Sequence, residues 1–156
     1  AADEIVKGHY WENGKGCAVG CIIHSSDHRR IEALAGIPVE PFYVCDSIFE
    51  RLPNGEAQKF PIQFIEAINE GADLSLVWPK WALWMLADPQ DGVARFNPDP
   101  CIQAVARLFE RMIARDNPTQ DEWAAAGAAR AATWAARATD VLAQRDKLLA
   151  LLKEAA

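Results

Sequence analysis

No run of apolar residues in this chain approaches the roughly 20 that a membrane-spanning helix needs, and no basic-then-apolar leader opens it. Both absences point to a soluble, cytoplasmic protein with no membrane partner, whose thiols stay reduced. The first residue is Ala1 rather than Met, so some sequence upstream of it is expected. Positive charge is also short. Sixteen Lys and Arg stand against 22 Asp and Glu, for a net charge of −6. Residues 119–156 carry five basic and five acidic side chains and sum to zero, so the whole excess lies upstream. An acidic body lacks the Lys/Arg surface that phosphate backbones demand, which argues against nucleic acid as a partner.

Two metal and phosphate signatures are missing as well. The glycines of GKG at 14–16 are not followed by Lys-Ser/Thr, so there is no P-loop. Paired ligands separated by a loop of a dozen residues, the zinc-finger spacing, do not occur. What the chain does have is 51% hydrophobic and 24% charged residues, the profile of a globular core. Its 156 residues suit one domain, or one domain with an appendage.

Punctuation divides the chain into helices. Residues 1–7 read as the end of a helix stopped by Gly8, and 8–16 as a glycine-rich loop. Residues 17–24 (CAVGCIIH) fit a buried strand or a helix. Helix is favoured because no partner strand is visible. Ser25 or Ser26 caps a helix that Gly36 ends, and Pro41 opens one whose apolar face is Phe42, Cys45, Ile48, Phe49 and Leu52. Pro61 starts another, with Ile62, Phe64, Ile65 and Ile68 as its apolar members. Asp73 or Ser75 caps the next, where Trp78, Trp81 and Trp84 favour core packing over a ligand-stacking platform. Asp99 and Pro100 begin a helix to about Arg115.

Thr119-Gln-Asp-Glu122 is a capping-box pattern. An alanine-dominated stretch follows, broken only by Gly127, and it predicts one continuous helix from about Gln120 to Glu154. That helix would be about 50 Å long, against a body about 35 Å across. A rod that overhangs its body has apolar surface left to cover, which points to a second copy or a protein partner.

One segment, GKGCAVGCIIHSSDH at 14–28, is chemically loaded. Cys17, Cys21, His24 and His28 follow at steps of four, three and four, on one stripe of a helix. Thiolate and imidazole are ligands for Zn or Fe. A straight helix spreads four such residues over about 16 Å and cannot wrap one ion. For His28 to fold back, the chain has to break at Ser25–Ser26. The plainer reading places the thiols in the core, without a metal. Gly14, Lys15 and Gly16 also suit an anion site at a helix start, or simply a tight turn. Cys17, near a helix start and beside Lys15, is a third possibility as a reactive thiol with His24 or His28 as base.

GKGCAVGC at 14–21, ERLPNGEA at 50–57 and the Ala/Trp-rich tail ending QRDKLLALL at 144–152 together resemble an uncharacterised family of bacterial and phage proteins. The resemblance covers most of the chain. It implies a cytosolic bacterial or phage setting and a common core at Gly14–Cys21, and it brings no activity, cofactor or catalytic residue.

The expected fold is all-α: an irregular bundle of five or six short helices over 1–118, with residues 119–156 as a long helical appendage. The leading functional expectation is a non-enzymatic interaction or structural protein. It would be a homo-oligomer or partner-binder, with Trp123, Trp134, Leu142 and Leu149 on the contact surface. The alternative is a metal- or thiol-dependent enzyme or sensor centred on Cys17, Cys21, His24 and His28.

Overall fold

The computed structural model describes residues 4–9, 11–97, 99–128, 131–133, 135 and 140–155. Helix dominates, so the all-α expectation holds. Contacts divide the chain into two compact units, Ala1–Ser75 with Leu148–Ala156, and Leu76–Lys147. No helix among the described residues is long and apolar enough to cross a membrane.

The first unit opens with two short strands, β1 (Glu4–Ile5) and β2 (Lys15–Gly16), paired in parallel. The expected N-terminal helix is thus corrected from Glu4 onward. The Glu4 amide donates to Gly14 O at 2.8 Å and the Val6 amide to Gly16 O at 2.9 Å, so these donors satisfy a ladder instead of a helical turn. Helices α1 (Ala18–Ile23), α2 (Arg30–Ala35), α3 (Glu40–Arg51), α4 (Asn54–Ala57) and α5 (Phe60–Glu66) follow. Gly36 ends α2 in the left-handed conformation, as expected.

The core of this unit is aromatic and aliphatic. Phe42, Ile48, Phe49, Leu52, Phe60 and Phe64 are all nearly inaccessible. The Phe42 and Phe64 rings lie edge to face, 5.2 Å between centroids. Each such side chain contributes about 1.5–3 kcal/mol on burial. On α5 the buried stripe is Phe60–Phe64, and Ile62 and Ile65 point to solvent instead of joining it.

The second unit contains α6 (Val77–Ala87), α7 (Pro100–Ile113), α8 (Gln120–Ala126) and the first half of α9 (Val141–Glu154). Asp99 caps α7 by accepting the Cys101 amide at 3.0 Å. Two of the three tryptophans of α6 pack, as their spacing suggested. Trp78 stacks on Trp81 at 5.9 Å and meets Phe109 of α7 edge-on at 5.8 Å. Trp81 Nε1 donates to Gln144 O at 3.1 Å.

The capping box forms as read. Thr119 N donates to Glu122 Oε2 at 2.7 Å, and Glu122 N donates to Thr119 Oγ1 at 3.3 Å. The uninterrupted helix from Gln120 to Glu154 does not form. Gly127 takes φ 75° and closes α8, its amide donating to the carbonyls of Trp123 and Ala124. Glycine enters this left-handed conformation without a Cβ penalty and ends a helix even inside an alanine run. Asp140 accepts the amides of Leu142 and Ala143, a side-chain cap that opens α9.

Much of the apolar face of α9 is covered: Leu148 and Leu152 are fully buried and Leu151 nearly so. Of the expected contact residues, Trp123 is half-buried against Phe109, 4.9 Å between rings, Leu149 is half-buried and Leu142 is 37% exposed. Trp134 lies outside the described residues.

Candidate metal centre

Cys17 is the N-cap of α1, extended at φ −62° and ψ 170°, with its sulfur accepting the Gly20 amide at 3.3 Å. Its own amide donates to His9 O at 2.8 Å. The glycines around it permit a close approach. A Cβ on Gly16 would stand 2.6 Å from Trp11 Cα, and one on Gly20 would stand 2.9 Å from Trp11 Cβ. Trp11 can therefore lie against the first turn of α1 only because neither position carries a side chain.

Helix α1 ends abruptly at His24, which adopts the left-handed conformation at φ 49° and ψ 46°. The turn that follows is held by side chains: the Asp27 amide donates to Ser25 Oγ at 3.1 Å, and the Arg29 amide to Asp27 Oδ1 at 3.3 Å. This is the break at Ser25–Ser26 that a fold-back of His28 demands. His28 Nε2 comes to 3.5 Å from Cys17 Sγ, with the two residues 5% and 2% exposed.

Asp46, from the middle of α3, completes the group. One ligating atom from each of Cys17, His28 and Asp46 lies within 4.8 Å of the other two. Oδ1 of Asp46 is buried and accepts no hydrogen bond. Burial pushes the Cys17 thiol up to about 12, and hydrogen bonding of its proton to the Asp46 carboxylate, with the charge of that carboxylate, adds to the rise. Cys45, fully buried, is also held well above the usual thiol range, by burial first and then by Asp46 and Cys17. A thiol raised in this way is a poor nucleophile on its own.

The other residues singled out in sequence lie elsewhere. Cys21 Sγ donates to Gly16 O at 3.5 Å and to Glu4 O at 3.8 Å, and His24 stacks on Trp11 at 5.5 Å, so neither joins the cluster. Lys15 pairs with Glu4 at 2.6 Å, Gly14 turns the chain at φ 80°, and Gly16 serves the Trp11 contact. The Gly20 amide at the start of α1 already donates to the Cys17 sulfur. In the second unit, a cavity of about 590 Å³ is lined by Cys101, Gln120, Trp123 and the alanines around Gly127, and among the described residues no charged side chain borders it.

The cluster matches the bonding reach of a transition metal. Zn–S of about 2.3 Å and Zn–N of about 2.0–2.1 Å put sulfur and nitrogen about 3.5 Å apart in a tetrahedral site. That is the Cys17–His28 separation, and Asp46 needs an approach of only about an ångström more. Comparison with family models, curated proteins and solved structures finds no match to this chain.

Proposed function

We propose that this protein binds one divalent ion of the zinc type through Cys17 Sγ, His28 Nε2 and a carboxylate oxygen of Asp46, and that the ion holds its N-terminal unit together. The observation that carries this reading is Asp46: one of its carboxylate oxygens lies within 4.8 Å of a thiol and an imidazole, and its buried Oδ1 has no hydrogen bond. A buried carboxylate oxygen with no donor is costly. A cation satisfies it, displaces the thiol proton and takes the imidazole lone pair in one step. Sulfur with nitrogen favours Zn, or Fe, over Mg or Ca. Three protein ligands leave a fourth position for water or another donor.

Local stability supports a structural role. Helices α1 and α2 have six residues each, and the strands have two. Elements this short do not persist alone and need tertiary support. A metal joining Cys17, the turn at His28 and α3 is such a staple. The thiol-nucleophile alternative is disfavoured by the burial of Cys17 and its raised pKa. The end of α8 at Gly127 weighs against association through one uninterrupted terminal helix.

Elemental analysis of the purified chain tests the proposal. About one Zn or Fe per chain is expected, lost in Cys17→Ser and in Asp46→Asn, with a lower melting temperature in chelator. A metal-free chain that gains none on incubation with Zn²⁺, and whose melting ignores chelator, removes the metal reading.

A further inference from the structure

A metal ligand is only as well placed as the chain that carries it, and Cys17 is held from its backbone by a three-residue bridge. The Cys17 amide donates to His9 O at 2.8 Å. The preceding Gly8 amide donates to both carboxylate oxygens of Glu50, at 3.0 and 2.9 Å. Lys7 Nζ donates to Leu52 O. Residues 7–9 thus tie the Cys17 backbone to the C-terminal half of α3. Asp46 belongs to the same helix, one turn before Glu50. The chain of bonds Glu50–Gly8–His9–Cys17 spans the two sides of the cluster.

We infer that Glu50 is a positioning residue for the metal centre, fixing the Cys17 sulfur relative to Asp46 through the Gly8–His9 bridge. This rests on the metal reading above. Glu50 does not belong to the ligand cluster. Its carboxylate is engaged by a backbone donor, and a charged acceptor makes that bond stronger than a neutral one. Gly8 sits at φ 71°, a conformation few other residues adopt readily, so the bridge is shaped to deliver its amide to Glu50.

Zn²⁺ affinity of the full chain, measured by competition with a chromophoric chelator, tests this alongside the Co²⁺ spectrum. Glu50→Ala should weaken Zn²⁺ about tenfold, at the low end of what loss of an outer support costs. It should still bind one ion, with an altered sulfur-to-cobalt absorption. Glu50→Gln, which keeps an acceptor for Gly8, should recover most of the affinity and the wild-type spectrum. If Glu50→Ala fails to fold, Lys7→Met weakens the same bridge and should reduce affinity about threefold. Wild-type affinity in Glu50→Ala, or in Lys7→Met where that variant stands in for it, overturns the inference and leaves the metal centre standing. Equal loss in the Ala and Gln variants with an unchanged cobalt spectrum also overturns it. A wild-type chain that binds no metal fails the earlier proposal instead.

Discussion

Cys17 Sγ and His28 Nε2 lie 3.5 Å apart, although eleven residues and a helix end separate them in the chain. The contact depends on His24 ending α1 in the left-handed conformation, so that the next turn reverses onto the thiol. It also places a proton where a cation is proposed. With the thiol raised to about 12, metal uptake near neutrality must expel that proton. Zn²⁺ affinity should therefore rise about tenfold per pH unit between 7 and 8. Chelator competition at the two pH values measures it, and a flat profile would mean that Cys17 is not a ligand.

Without metal, the same shift has a signature in stability. The folded state holds the Cys17 proton more tightly than an unfolded chain, whose thiol titrates near 9.0. The resulting stabilisation is fully present below pH 9 and is lost as pH rises toward 12. Urea unfolding of the metal-free protein should show declining stability across that window. Cys17→Ala should flatten this part of the decline, and an unchanged slope in that variant would contradict the assignment.

Two glycine substitutions should move in opposite directions. Gly16→Ala drives a methyl to 2.6 Å from the Trp11 backbone and should destabilise by about 2 kcal/mol or more while weakening metal binding. Gly55→Ala, on α4 with open space around its Cβ, should be neutral or stabilise by up to about 1 kcal/mol. Denaturant midpoints of the two variants make the comparison. Equal effects would show that the Trp11 contact is not needed.

Gly127→Ala examines the end of α8. The residue is left-handed, and an added Cβ would lie 3.3 Å from Cys101 Cβ. A loss of about 1 kcal/mol or more is expected on thermal or urea unfolding. A gain would instead favour a helix continuing through this point, since alanine outranks glycine in helix interiors.

Local chemistry made many of the helix ends legible. Asp99 with Pro100, Thr119 with Glu122, and Gly36 each act where their caps predict. Gly127 is a stop signal in the sequence, but the summed helix preference of the alanines around it masks it. Half of the site was legible in the same way. Cys17 and His28 stood out because thiol and imidazole recur in one segment, although stripe geometry suggested Cys21 and His24 as companions. The helix end at His24 overrides that stripe. Asp46 was missed, being eighteen residues beyond His28 and brought near by tertiary packing alone. Its signal was a carboxylate at steps of four and three between Phe42 and Phe49, on the face that α3 buries.

X-ray absorption at the zinc edge of the Zn-loaded protein tests the centre most directly. One sulfur at about 2.3 Å with nitrogen and oxygen neighbours at about 2.0–2.2 Å is the expected shell, and the sulfur should vanish in Cys17→Ser. A shell of nitrogen and oxygen only, or two sulfurs, in the wild-type protein would contradict it.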